Sequence, residues 1–101
     1  MSEGRQRLDK WLWFARFAKT RTLASRLVTD GFVRVNGRRA DAAAKPVGPG
    51  DILTIAPQHR TATVRILSSG ERRGPATEAQ GLYEDLGTRD DAALVTGAAG
   101  H

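Results

Sequence analysis

Thr20-Arg21-Thr22-Leu23-Ala24-Ser25-Arg26-Leu27-Val28-Thr29-Asp30-Gly31-Phe32-Val33-Arg34-Val35-Asn36-Gly37-Arg38-Arg39 changes its hydrophobic period part-way along. The first half repeats as a helix does. Thr20 can accept a bond from an orphan backbone N–H, so a helix is predicted over 21–30. Leu23 and Leu27, with Ala24 or Val28, supply its buried face. Gly31 stands where a left-handed residue closes a helix. After it, Phe32-Val33-Arg34-Val35 alternates apolar and polar like a half-buried strand. Asn36-Gly37 favours the left-handed angles of a type I′ turn, with Arg38, Arg39 and Ala40 as the return strand.

Working outward, Leu8, Trp11, Leu12 and Ala15 recur at i, i+3, i+4 and i+7. They predict a first helix from Gln6 or Arg7 to about Ala18. The link to the second helix is then short, and the two form a tight αα-hairpin. Strands are expected over 51–55 and 61–67, after a loop over 41–50 broken by Pro46, Gly48, Pro49 and Gly50. Pro75 suits a first helical turn, and Ala79, Leu82, Tyr83 and Leu86 again repeat with helical spacing. A short C-terminal helix is therefore expected. Trp13 and Phe17 fall opposite Leu8 and Leu12, and packing beneath that helix is favoured over stacking on bases. Residues 87–101, rich in Gly, Ala and Asp, have little to bury and read as a disordered tail.

The expected fold class is α+β: a two-helix hairpin on a small, mostly antiparallel sheet, with the short C-terminal helix and the tail. The boundaries are a domain over 7–67, a helical extension over 68–86 and a tail over 87–101. A chain of 101 residues holds one compact core and leaves no room for a second.

The net charge is +5 and it is skewed. Residues 1–60 hold twelve Lys and Arg against five Asp and Glu; residues 61–101 hold four against six. A basic front and an acidic back point to a polyanion on one side. The lack of cysteine fits a reducing compartment and excludes disulfides and thiolate metal sites. No apolar run approaches a membrane span, and no helix pairs a broad apolar face with basic flanks. The expected location is the cytoplasm.

Catalytic and metal patterns do not emerge. His59 and His101 lack neighbouring ligands, and Ser25, Ser68 and Ser69 lack an activating motif. Asp9 and Asp51 read as caps and ion-pair partners. The expectation is a non-enzymatic protein with no cofactor and no metal. The basic residues carry more information. Arg7, Lys10 and Arg16 lie off the apolar stripe of the first helix. Lys19 and Arg21 bracket the inter-helix turn, Arg26 follows on the second helix, and Arg34, Arg38 and Arg39 come from the hairpin. If the hairpin packs beside the helices, these groups converge on one face that neutralises phosphates. Thr20, Arg21 and Thr22 also open the second helix, whose positive dipole end favours phosphate. A tight basic helix pair can also imitate a DNA-binding helix-turn-helix, so a DNA-binding regulator and a general binder of structured RNA stand as alternatives.

Arg7-Leu8-Asp9, Leu12, Thr20-Arg21-Thr22 with Ala24, Gly31 to Gly37, Val47, Gly50-Asp51 and Ile55 together resemble the RNA-binding domain named after ribosomal protein S-four. Finer features are similar to the ribosome-associated heat-shock protein family of about fifteen kilodaltons: Asp9 to Arg16, then Lys19-Thr20-Arg21, then Arg72-Arg73-Gly74-Pro75-Ala76, Glu78-Ala79-Gln80 and Leu82-Tyr83-Glu84. The resemblance implies a protein that binds ribosomal RNA of free large subunits still carrying a nascent chain on transfer RNA, and that aids their recycling after heat stress. It places Arg7, Lys10, Thr20, Arg21, Thr22, Ser25, Arg26, Asn36 and Arg38 on the RNA face, with Arg16, Lys19, Arg34 and Arg39 added from the charge pattern and Gly37 as part of the Asn36-Gly37-Arg38 tip. The tail lacks the basic extension some members carry. The expected state in solution is a monomer. Similar domains are appended to RNA-modifying enzymes, but the length leaves no room for a catalytic domain.

Overall fold

A computed structural model of the chain describes residues 5–57, 60–70 and 74–90. His59, His101, Arg72-Arg73 and the tail beyond residue 90 lie outside the described residues. The elements run β1 (Gln6–Arg7), α1 (Leu8–Phe14), α2 (Arg21–Thr29), β2 (Val33–Val35), β3 (Arg38–Arg39), β4 (Pro46–Val47), β5 (Ile52–Ile55), β6 (Arg60–Ile66), α3 (Ala76–Ala79), a 3₁₀ turn (Gln80–Leu82) and β7 (Tyr83–Asp90). The main sheet is antiparallel in the order β3-β2-β5-β6-β7, and β1 pairs separately with β4. No helix among the described residues is long and apolar enough to cross a membrane.

The core lies between the helix pair and one face of the sheet. Leu8, Trp11 and Leu12 of α1 and Ala24 and Val28 of α2 meet Val33, Val35, Leu53, Ile55, Val64 and Ile66. The strand residues alternate as expected: Ala62, Val64 and Ile66 are buried, while Arg65 is exposed. Asn36 and Gly37 have φ of 52° and 84°, as a type I′ turn needs. Thr20 caps α2, its Oγ1 accepting from the Leu23 N–H at 3.1 Å.

Both helices close with the same hydrogen-bond pair. The Phe32 N–H donates to the Leu27 carbonyl and the Gly31 N–H to Val28; the Phe17 N–H donates to Leu12 and the Arg16 N–H to Trp13. This closure needs a left-handed residue just past the cap. Gly31 adopts φ of 87° without strain, but the same position after α1 is Arg16, at φ of 68°, which costs about 1 kcal/mol for a residue with a side chain. The closure stops α1 at Phe14, short of the expected Ala18, and lengthens the inter-helix link to Ala15–Thr20.

Three further expectations are corrected. Leu23 does not join the buried face of α2: it is 44% exposed, and Ala24 and Val28 face the core. The loop over 41–50 is not wholly irregular. Pro46–Val47 pairs with β1, and the Lys45 and Ala43 carbonyls accept the Leu8 and Asp9 N–H groups at 2.9 and 3.0 Å, satisfying donors that a helix start leaves orphaned. The C-terminal helix ends after one turn. Tyr83 to Asp90, expected as helix and tail, form a strand paired along the whole of β6. A weak helical repeat, interrupted by Gly81 and Gly87, loses to the open edge of a seven-residue strand. Leu86 falls in a bulge between the Thr63–Gly87 and Val64–Asp85 pairs and is 41% exposed, so it does not cover the aromatics.

Tyr83 does provide cover for Phe17. The Phe17 ring lies 5.0 Å from Tyr83 and 6.0 Å from Trp11, and Trp11 meets Tyr83 edge-on at 6.1 Å. Trp13 packs against the core and against Phe14 at 5.2 Å. The link after β6 is clamped to α1 and β1: the Trp11 Nε1–H donates to the Ser68 carbonyl at 3.0 Å, and the Gln6 amide donates to and accepts from the Gly70 backbone. A Cβ at Gly70 would stand 2.6 Å from the Phe14 side chain. Gly70→Ala is therefore expected to lower stability by about 1–3 kcal/mol. Gly81→Ala, where an added Cβ meets nothing within 4 Å, leaves stability unchanged or slightly raised. Urea unfolding of both variants checks the pair.

Candidate nucleic-acid interface

Asp9, in the first turn of α1, is 4% exposed. Its carboxylate accepts two bonds from one guanidinium, Arg7 Nε to Oδ1 at 3.1 Å and Arg7 Nη2 to Oδ2 at 3.0 Å. The Lys10 N–H donates to Oδ1 at 2.7 Å, and Arg21 Nη2 stands 3.6 Å from the same oxygen. Burial alone would raise the Asp9 pKa. The Arg7 bonds, the Lys10 N–H and the charges of Arg7 and Arg21 outweigh it and hold the group below its ordinary value, while Arg7 is raised by the same contact. The two guanidinium side chains stay about half exposed (54% and 44%), so each can still meet a phosphate while anchored.

Around this cluster the structure gathers part of the expected site. Thr22 sits beside Arg21 in the first turn of α2, and Ser25 one turn on shares Arg21's side of the helix. Thr20 is occupied as the cap. The Lys10 ammonium lies over the Phe14 ring at 5.6 Å.

The hairpin residues divide. Arg38 stands opposite buried Val35, and Arg39 opposite exposed Arg34, so the arginines of the return strand leave opposite faces of the ribbon. The Arg39 guanidinium covers Gly31, where a Cβ would meet it at 2.7 Å. Asn36 is exposed but tied down within the chain: Nδ2 donates to Asp51 Oδ1 at 3.2 Å and Oδ1 accepts the Ile52 N–H at 2.9 Å. Asp51 also accepts the Gly48 N–H, so it ties the hairpin tip, β5 and the preceding turn together. Asn36 and Gly37 thereby set the angle at which Arg38 leaves the tip.

The remaining basic groups stand elsewhere. Lys19 and Arg26 flank an apolar groove lined by Phe17, Leu23, Leu27 and Phe32. Arg16 lies past the far end of α1, its Nε donating to the Gly74 carbonyl at 2.8 Å. Arg16 lines a common cavity with Arg60, Tyr83 and Asp85, a grouping that leaves no local pattern in the sequence. That grouping depends on β7 being a strand, and its helical spacing hid it.

Residues 6–53 match the S4 domain model. The solved trimeric structure of Vibrio cholerae heat shock protein 15 superposes with a TM-score of 0.75 at 44% identity, covering 80% of this chain and 81% of that one. The chain belongs to the heat shock protein 15 family of S4-domain proteins. Heat shock protein 15 of Escherichia coli strain K12 is 44% identical over 79 residues, 78% of this chain and 59% of its own length. The RQC P-site tRNA stabilizing factor of Bacillus subtilis is 40% identical over 60 residues, 59% of this chain and 69% of that protein. The chain spans about six-tenths of the length of the curated heat shock protein 15 relatives it matches. The match to the S4 model contains Asp9, both arginines it holds, and the whole hairpin.

The Asp9 cluster predicts a pH dependence. A carboxylate whose pKa is lower folded than unfolded adds stability above its unfolded value, about 4, and loses it as pH falls through the folded value. Wild type is expected to be more stable than Asp9→Asn at neutral pH. The two should converge as pH drops below about 4. A constant gap between their urea midpoints from neutral to strongly acid pH contradicts the assignment.

Proposed function

We propose that this chain is a ribosome-associated RNA-binding protein that grips structured RNA of the large subunit through Arg7, Arg21, Thr22, Ser25 and Arg38. It acts by binding and not by catalysis. The observation that carries this reading is the arginine pair held on buried Asp9 at the start of both helices. Phosphates attract such a pair, and each phosphate neutralised releases counterions. The Arg21 and Thr22 N–H groups are orphan donors of the α2 start and add to the same anion site. The α1 start contributes no such donors from Leu8 and Asp9, whose N–H groups are taken by Lys45 and Ala43.

The finer reading follows the relatives. A protein named for stabilising P-site tRNA supports transfer RNA as a second contact, and relatives named heat shock protein 15 support a role under heat stress. The target is then the free large subunit carrying a nascent chain on transfer RNA, which the protein helps to recycle. The Vibrio cholerae relative is trimeric in its solved structure. For this chain the monomer is the RNA-binding unit, because one copy carries every group of the grip.

Co-sedimentation with large subunits tests the reading. Neutralising Arg21→Gln with Arg38→Gln avoids placing a second carboxylate beside Asp9. The double variant is expected to bind more weakly and to flatten the plot of log affinity against log salt by about one unit per lost phosphate contact. Wild-type levels in the pellet at every salt concentration would remove these residues from the interface. The same assay on empty subunits and on subunits carrying peptidyl-tRNA is expected to favour the latter. Equal affinity removes the nascent-chain part of the proposal.

A further inference from the structure

Arg16 borders a cavity of about 380 Å³ between the end of α1, the β5–β7 part of the sheet and α3. That volume falls within the range of small-ligand sites, which join apolar walls to a few convergent polar groups. Here Phe17 and Tyr83, whose rings pack against each other, line the cavity together with Arg16, Arg60, Gln80 and Asp85. The β7 register explains the convergence. Tyr83 stands opposite Ile66 and Asp85 opposite Val64, both buried, so both side chains leave the helix-facing side of the sheet. The bulge beyond them is held by Asp85 Oδ1, which accepts the Gly87 N–H at 2.9 Å. Burial raises the Tyr83 phenol pKa, the Asp85 charge adds to the rise, and Arg60 opposes it. The phenol, the carboxylate and the guanidinium thus lie within one another's fields.

Arg16 itself is a second, independent sign. At the equivalent position after α2 the chain uses Gly31, which is free of strain in the left-handed region. Keeping an arginine there sets a guanidinium at the cavity, steadied by the Gly74 carbonyl. Strained residues of this kind gather at functional sites.

The lining selects a ligand class. Two guanidinium groups suit a phosphate, and ring faces suit a planar base. A carboxylate and an amide suit exocyclic amines and sugar hydroxyls. An acyl chain would give the two guanidinium groups no counter-charge, and inorganic phosphate would leave the rings unused. We propose that this cavity takes one unpaired nucleotide, its base against Phe17 and Tyr83 and its phosphate between Arg16 and Arg60. The nucleotide is either extruded from bound RNA or free in solution. The inference deepens the RNA-binding reading, and its test separates the two.

The full chain is titrated with a fully paired RNA hairpin and with the same hairpin carrying one bulged 2-aminopurine. Adenosine 5′-monophosphate is titrated separately while the Tyr83 ring is followed by NMR. Wild type is expected to bind the bulged hairpin about tenfold more tightly and to quench its fluorescence, the effect of seating one base on aromatic rings. Arg60→Gln is expected to cut that preference to about twofold and leave affinity for the paired hairpin unchanged. Arg16→Gly, which relaxes the backbone, is expected to lower the preference likewise. A shift of the Tyr83 ring by the free nucleotide, without preference for the bulge, supports the cavity and assigns it to free nucleotides. The same shift with neither hairpin bound keeps the cavity and removes the RNA-binding reading. Equal affinity for both hairpins together with no shift overturns the cavity proposal, as does a full tenfold preference retained by both variants.

Discussion

The Asp9 carboxylate sits almost out of water between two arginines that would otherwise repel each other. Burying an ion costs several kcal/mol unless its oxygens are filled. Here they are filled by Arg7 from the end of β1, by the Lys10 N–H and by Arg21 from the first turn of α2. One group therefore links the first turn of α1 to the first turn of α2. It also keeps two cations side by side on an exposed face, where a polyanion can reach them.

The end of α1 and the inter-helix link are held by rings and by an edge strand. Trp11, Phe17 and Tyr83 join α1, the inter-helix link and β7 in one cluster. β7 protects the edge of β6 and brings Tyr83 and Asp85 beside Arg16. The C-terminal segment thus completes the sheet and one wall of the cavity. Polyanion contacts at the helix starts and a shaped concavity beyond the end of α1 are separate parts of one small fold.

The order helix, helix, hairpin was legible because its signals are local. Thr20 caps, Gly31 closes, and Asn36-Gly37 turns, each through its own backbone preference. The alternation in β6 was legible because one face is buried. What the sequence hid depends on long-range pairing. Tyr83 to Asp90 carried a helical repeat that only the open edge of β6 overrides, and the β1–β4 pair is too short to leave a pattern. The site was legible as a set of basic residues. Their division was not: nothing local says that Arg38 and Arg39 leave opposite faces, that Asn36 is tied to Asp51 and Ile52, or that Arg16 lies apart from Arg7 and Arg21. Asp9 read as an ion-pair partner; that it holds two arginines at once emerges only when the helix starts are brought together.

The central claim is that Asp9 acts on RNA binding through the two arginines it holds. A double-mutant cycle of Asp9→Asn and Arg21→Gln, read as affinity for large-subunit RNA, tests it most directly. Residues in one ion-pair network show coupling of about 0.5–3 kcal/mol. The account predicts coupling within that range, with Asp9→Asn costing affinity in the wild-type background and less once Arg21 is gone, the remaining cost coming from Arg7. Additive losses would contradict it.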